Sequence, residues 1–262
     1  MSDLREVTGL VLRTVDVREA DRVATIYTKE EGVLSAFVPG ARAFKSRKFA
    51  AASQFCYGRF MLYRRGEHTR VTDAELIESF FDLRNTLEGF ALASYFCEIL
   101  SDVAVTEPDV SLLRLTLNSF YAIAKNRAPL SRIKAAFEIR LAAQIGFLPD
   151  LIGCAECGNK TGDFFFNIMD GNLQCAECRK KQIEEKRDVV YDPEHSHIVA
   201  QLSAAAKDAL VYCIYAPLER LFSFQIPEED ALLFSHAAEI YLLNHLERSF
   251  ATLDFYKTVE KP

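Results

Sequence analysis

Four cysteines are the residues of this 262-residue chain best suited to chemistry. Cys154 and Cys157 form one Cys-x2-Cys pair, and Cys175 and Cys178 form a second pair after seventeen intervening residues. Zinc prefers four soft ligands in a tetrahedron, and a two-residue spacer lets one turn present two thiolates to the same ion. The spacing therefore predicts one zinc site. Four cysteines fill the coordination shell, so the site is predicted to be structural and to supply ~10–16 kcal/mol to folding.

Two disulfides or a redox Cys-x-x-Cys motif are the alternatives to zinc. The first residues do not have the pattern of a signal peptide, and no run approaches the ~18 apolar residues of a membrane span. We therefore expect a cytoplasmic, nucleoid-associated protein, in which disulfides are rare. A redox motif would not be duplicated at this spacing. Cys56, Cys97 and Cys213 stand alone among apolar residues and are predicted to be core residues.

A hairpin between the two pairs would bring the cysteines together. The apolar run 164–169 is followed by Asp170-Gly171, a favoured two-residue turn, and then by the returning strand 172–174. This arrangement predicts a zinc ribbon at about residues 150–182. Gly158 would relieve the backbone after the first pair, and nearby lysines and Arg179 would offset the negative charge of the thiolates.

Charge is distributed unevenly along the chain. The net charge is −6, yet residues 1–80 carry thirteen basic and eleven acidic residues, or +2, which leaves −8 for the remainder. Residues 42–70 hold eight basic residues against one acid, Glu67. A basic segment in an acidic protein predicts a localised anion-binding face, and nucleic acid is the commonest partner of such a face. The candidate DNA-binding residues are Arg42, Phe44, Lys45, Arg47, Lys48, Arg64, Arg65 and Arg70.

The elements that must position these residues differ along the chain. Residues 1–80 show five short β-patterned runs, separated by breaks such as Pro39-Gly40 and by a turn over residues 64–67. Five short strands cannot bury two open sheets, so a closed five-stranded barrel is predicted. Its aromatic and basic residues would contact bases and phosphates of a single strand.

Helical patterns dominate after residue 82. We predict a buried helix capped by Asn85 or Thr86, a helix over 110–125 and a helix that follows Pro129. Further helices are expected around 196–214 and 228–248, the second with Pro227 at its first position. The fold class is therefore α+β, with a barrel domain over 1–80 and a helical domain over 81–262 into which the zinc ribbon is inserted.

Signals for catalysis are weak. The sequence has no Walker A loop, no Gly-x-Gly-x-x-Gly and no Gly-x-Ser-x-Gly motif. His195 and His197 lie in a polar connector, while His236, Glu239 and His245 have no matching ligands on a second helix. We expect that the protein is not an enzyme. A zinc-containing nucleic-acid-processing enzyme and a protein-interaction scaffold remain the alternatives.

Several short segments, taken in order, resemble the bacterial recombination mediator family RecO. The resemblance covers about residues 5–180 clearly, and the last eighty residues only by their helical character. The segments that carry it are 8–13, 19–22, 28–32, 38–42, 46–47, 63–65, 74–76, 137–141 and 146–149, together with Cys154 and Cys157.

The resemblance implies an N-terminal OB-fold barrel, a helical domain with a zinc ribbon, and binding and annealing of single- and double-stranded DNA. It also implies work with RecR, contact with the acidic tail of single-strand-binding protein, and loading of RecA, with RecF as a further possible partner. In such proteins the barrel and its basic loops bind DNA. Arg132, Lys134 and Arg140 are guesses for the contact with the acidic tail.

Overall fold

The structure is a computed structural model that describes residues 3–43, 48–104, 108–185 and 198–260. Its contacts group the chain into two compact units. The first comprises Met1–Lys125 together with Phe250–Pro262, and the second comprises Asn126–Ser249. The predicted domain boundary near residue 80 stays a prediction. Among the described residues, no helix is long and apolar enough to cross a membrane.

Five strands close into the predicted barrel in the first unit. They are β1 (Asp3–Val17), β2 (Asp21–Thr28), β3 (Gly32–Val38), β4 (Cys56–Arg65) and β5 (His68–Ser79), in the order β1-β2-β3-β5-β4. The strand β1 is 15 residues long, and this length allows it to pair with both β2 and β4. The inward-facing side chains of Val7, Val11, Ile26, Phe60 and Leu62 are almost completely buried and form the core of the barrel.

Two glycines let strands of the barrel pass close to one another. Gly9 pairs with Gly58 across β1 and β4. A Cβ atom at Gly9 would lie 2.6 Å from the carbonyl oxygen of Tyr27, and one at Gly58 would lie 2.6 Å from that of Glu75. A side chain at either position would therefore push the strands apart.

Helices complete the first unit. The short α1 (Lys48–Ala51) lies between β3 and β4, and α2 (Leu87–Val103), α3 (Val110–Ala124) and α8 (Ala251–Val259) follow the barrel. Thr86 caps α2 and Asp109 caps α3, each by accepting a backbone hydrogen bond. The helix α2 is largely buried, as its apolar sequence predicts. The helix α8 returns from the end of the chain to pack on α2.

The second unit combines helices with a small sheet. Its helices are α4 (Leu130–Gln144), α5 (Ala176–Glu185), α6 (Ala204–Tyr215) and α7 (Glu228–Leu246). Its strands are β6 (Asp150–Cys154), β7 (Phe164–Asn167), β8 (Asn172–Cys175) and β9 (Val199–Leu202), in the order β6-β8-β7-β9. The helix α4 ends just before Gly146, which takes a φ of +104°.

Three sequence predictions differ from the structure in this unit. Residues 199–202 form a strand instead of a helical start, because they pair with β7. Pro227 is the N-cap of α7 and not its first residue. The hairpin loop spans the four residues 168–171, since Asn167 pairs with Asn172, so Asp170-Gly171 does not form a two-residue turn. Gly171 still takes a positive φ, of +65°.

Candidate metal centre and nucleic-acid interface

The structure brings the four predicted cysteines into one cluster. One sulfur atom from each of Cys154, Cys157, Cys175 and Cys178 lies within 4.8 Å of the others. The sulfur atoms of Cys157 and Cys175 are 3.7 Å apart. Zn–S bonds of about 2.3 Å in a tetrahedron give an S···S separation of about 3.8 Å. The donor set and its spacing therefore fit a four-coordinate metal ion.

Local backbone geometry produces this cluster. Cys154 ends β6 and Cys175 ends β8, while Cys178 lies in the first turn of α5. Between the first two cysteines the chain makes a tight turn, in which the N–H of Gly158 donates to the carbonyl of Cys154 over 2.9 Å. Gly158 has a φ of +74°, which agrees with the predicted relief of the backbone.

The electrostatics of the cluster distinguish its members. Burial raises the pKa of the Cys154 thiol, but backbone donors from Cys175, Cys157 and Glu156 outweigh burial and lower that pKa to about 6. The neighbouring thiols of Cys157 and Cys175 raise the pKa of Cys178. Cys154 therefore forms a thiolate more readily than Cys178 does, and a bound cation would offset the negative charge of the cluster.

Residues of α7 and of the loop after α4 pack on the sheet that carries Cys154 and Cys175. Phe166 of β7 lies 5.0 Å from the ring of Tyr241, and the ring of His245 stacks on Phe147 at 4.7 Å. Burial lowers the pKa of His245, and Glu239 of the same helix accepts a hydrogen bond from Lys134. These residues support packing, as the sequence indicates. His195 and His197 lie outside the described residues.

Strand register brings the basic residues to one end of the barrel. Arg22 at the start of β2 pairs with Val38 at the end of β3, and Phe37 pairs with Arg70 at the start of β5. Arg70 in turn pairs with Tyr63 near the end of β4. We call this end, with its loops 18–20, 39–43 and 66–67, the basic end of the barrel. It carries Arg42, Arg64, Arg65 and Arg70 of the predicted set.

The members of the predicted set differ in how free they are to bind an anion. Arg64, Arg65 and Arg70 are exposed and form no ion pair with the described residues. Arg42 forms an ion pair with Asp16 at 3.4 Å and donates to the carbonyl of Glu19. Lys48 is half-buried in α1. Phe44, Lys45 and Arg47 lie outside the described residues.

Arg22 also lies at this end of the barrel, although it is not in the predicted set. Its Nε donates to Asp16 over 2.9 Å, and that hydrogen bond lowers the pKa of Asp16. Asp16 therefore stays ionised and holds both Arg22 and Arg42. Arg22 belongs to a segment that carries the family resemblance, and this is the signal in the sequence that points to it. Its ion pair with Asp16 cannot be inferred from the spacing of the two residues.

The three basic residues suggested as contacts for the acidic tail of single-strand-binding protein make contacts within the second unit. Lys134 is buried between two carboxylates, with its Nζ 2.9 Å from Glu138 and 2.6 Å from Glu239. Arg140 donates to the carbonyls of Cys213 and Ile214. Arg132 donates to the carbonyl of Phe224 and lies over its ring. The guess is wrong for Lys134, because its charge is already neutralised within the core.

Family models match nearly the whole chain. The model described as "Recombination protein O N terminal" matches residues 1–80, and "Recombination protein O C terminal" matches residues 84–254. The DNA repair protein RecO of Acetivibrio thermocellus is 32% identical over 259 residues, which cover 98% of this chain and 97% of that protein. That of Desulforudis audaxviator is 32% identical over 95% of this chain and 94% of its own length.

A third relative, the DNA repair protein RecO of Desulforamulus reducens, is 28% identical over 97% of this chain and 94% of its own length. Both halves of the family architecture are therefore present here in the same order and with little length difference. The segments singled out from the sequence lie within the two matched regions. On these matches, the chain belongs to the RecO family of DNA repair and recombination proteins.

Proposed function

We propose that the protein is a non-catalytic mediator of DNA repair and homologous recombination that binds single- and double-stranded DNA with the basic end of its barrel. The observation that carries the proposal is the convergence of the exposed Arg64, Arg65 and Arg70 on that end. Cations that contact phosphates position a protein on DNA without reading the base sequence. Single-stranded and double-stranded DNA are therefore both suitable ligands. We place this action at the nucleoid in the cytoplasm.

Annealing follows from the same contacts in this proposal. Complementary strands repel one another, and a basic surface that neutralises phosphates reduces that repulsion while leaving bases available for pairing. Membership of the family supports the finer steps, which are cooperation with RecR, contact with the acidic tail of single-strand-binding protein, and loading of RecA. A role for RecF belongs to the same set of proposals.

We also propose that the metal is a single structural Zn²⁺. An all-sulfur donor set favours zinc over the harder Mg²⁺ or Ca²⁺, and four protein ligands leave no position for water or substrate. The ion would join β6, β8 and α5, so its contribution is to folding of the ribbon. This reasoning also disfavours a zinc-dependent nuclease, which would cleave strands and lose that activity on chelation.

The test compares DNA affinity over a salt series. The triple variant Arg64→Ala, Arg65→Ala, Arg70→Ala is expected to weaken binding to unrelated sequences and to reduce the salt slope for single strands by about 2, because each lost phosphate contact removes about 0.7. Fluorescence anisotropy with labelled single strands and duplexes measures both quantities.

Arg59→Ala is the matched control. Arg59 is also an exposed arginine of β4, but it pairs with Glu75 at 2.7 Å and lies away from the basic end. It is expected to retain wild-type affinity and slope. An unchanged slope in the triple variant, or an equal loss in Arg59→Ala, would contradict the proposed interface.

A further inference from the structure

The sheet of the second unit has one buried face and one open face. Phe164, Phe166 and Leu173 point into the core and are at most 1% exposed. Side chains alternate along a strand, so their neighbours point to the opposite face. Register places Phe165 beside Gln174 and Asn167 beside Asn172 on β7 and β8. The open face therefore carries an aromatic ring among amide groups.

A cavity of about 150 Å³ lies on this open face. The helix α5 closes one side of it with Arg179 and Gln182, and residues 155–156 and Val199 complete the lining. The same helix begins beside the cysteine cluster. A metal ion at the cysteine cluster would therefore help to keep α5 against the strands and the cavity formed.

The side chains in the cavity are prearranged. The guanidinium carbon of Arg179 lies 4.5 Å from the centre of the Phe165 ring, a cation–π contact that holds the guanidinium group beside the cavity. Gln174 donates to Gln182 over 3.0 Å, which ties the sheet to α5. Within the described part of the chain, the amide of Asn172 has no side-chain hydrogen bond, so it is available to a ligand.

The net charge of the cavity lining distinguishes between anionic ligands and neutral ones. Among the residues that the structure describes, the lining carries one cation, Arg179, and two carboxylates, Glu156 and Asp170, which sum to −1. A free phosphate or an acidic peptide is therefore disfavoured inside the cavity. A neutral, flat ring that both donates and accepts hydrogen bonds suits it better, because Asn and Gln pair with base edges and guanidinium planes stack on bases. The exposed Lys180 and Lys181 follow on α5 and lie outside the lining.

We infer that this cavity binds an unpaired base of a DNA strand, with Arg179 as the stacking surface, Asn172 as a hydrogen-bonding group and the adjacent lysines near the phosphates. The inference rests on the proposed function and adds a second contact to it, on the ribbon. The base stacks on the guanidinium group of Arg179, which its contact with Phe165 holds in place. Duplex DNA, whose bases are already stacked, does not enter.

The test uses the full chain and two labelled single strands of equal length, one intact and one with a central run of abasic sites. The variant Arg179→Lys keeps the positive charge but removes the planar guanidinium group. It is expected to weaken binding of the intact strand by at least about 5-fold, as loss of one base stack does. Binding of the abasic strand and the salt slope should stay at wild-type values, because the phosphates still face a cation.

Arg220→Lys is the matched control, since it makes the same exchange at an exposed arginine of the second unit that lies outside the cavity lining, and it should change neither affinity. Equal losses on both strands in Arg179→Lys, or no loss on either, overturn the inference. Metal content and thermal unfolding of each variant report whether the ribbon is intact.

Photocrosslinking of the unmodified protein gives a second readout that does not depend on a folded variant. A strand containing 5-iodouracil should crosslink within residues 164–182. Crosslinks confined to the barrel overturn the inference but leave the proposed function in place. Failure of the wild-type protein to bind either strand would overturn both.

Discussion

At the scale of single residues, the buried charge of Lys134 is the most consequential feature of the second unit. Its side chain is 4% exposed and lies between Glu138, at 0%, and Glu239, at 16%. Ionised groups are costly to bury, and here each is compensated by a partner. Glu239 comes from α7 and Lys134 from α4, so the trio also fixes the register between these two helices.

Lys134→Met is expected to lower the free energy of unfolding by about 3–5 kcal/mol, because the buried carboxylate of Glu138 and that of Glu239 would lose the cation that they share. Urea unfolding followed by circular dichroism measures the loss. Lys125→Met is the control, since its ion pair with Asp82 is about half-exposed on both sides and is worth at most about 1 kcal/mol. Similar losses in the two variants would show that the trio adds no stability of its own.

The pH dependence of this trio follows from the direction of its pKa shift. Burial lowers the pKa of Lys134, but Glu138 and Glu239 outweigh burial and raise it above its usual 10.5. A raised pKa means that the folded state holds the proton more tightly than the unfolded state. The stabilisation is therefore complete below pH 10.5 and is lost only as the pH rises above that value.

At the scale of elements, one tyrosine links the barrel to the helix that follows. The hydroxyl of Tyr27 on β2 donates to the carbonyl of Asp109 over 2.7 Å and accepts from its N–H over 3.0 Å. Asp109 also caps α3 through its side chain, which accepts from the N–H of Ser111. The start of α3 thus depends on a side chain that lies some eighty residues earlier in the chain.

Tyr27→Phe is expected to lower the free energy of unfolding by about 1–3 kcal/mol, because both backbone groups of Asp109 lose a partner in a partly buried place. Hydrogen exchange should show the loss of protection concentrated at the first turn of α3. Tyr63→Phe, at a half-buried position on β4, is the control. Unchanged protection in α3 would count against the link.

At the scale of the whole molecule, the metal centre and the basic end of the barrel belong to different compact units. We therefore expect their contributions to separate. Under the proposed function, the four cysteines would stabilise a ribbon of the second unit, while the first unit would make the phosphate contacts. A change at the metal should alter stability first and the electrostatic part of DNA binding only indirectly.

Removal of the metal is expected to lower the stability of the second unit and to abolish amide protection over residues 150–185, because ion binding supplies folding energy to a segment with little core of its own. The salt slope for DNA binding should stay within error of the loaded protein. Chelation and Cys157→Ser both test this, with metal content measured alongside. Cys97→Ala should keep the metal, since Cys97 is a buried core thiol. A reduced salt slope without metal would contradict the separation.

Much of this architecture is predictable from the sequence because the signals are local. The Cys-x2-Cys spacing, the caps of α2 and α3, the end of α4 at Gly146 and the alternation of the five barrel strands each involve residues a few positions apart. Their energetics depend on backbone geometry within one turn or one strand. The sequence therefore determined the barrel, the main helices and the cysteine cluster.

Only the tertiary structure decided which distant groups meet. Residues 199–202 form a strand because they pair with β7, and α8 belongs to the unit that contains the barrel. Lys134 forms an ion pair with Glu239, and Arg42 forms one with Asp16. Long-range pairing depends on register and burial, which no short pattern encodes. The cavity beside Arg179 has the same origin, because its ring, amides and guanidinium come from two strands and a helix that only the folded sheet brings together.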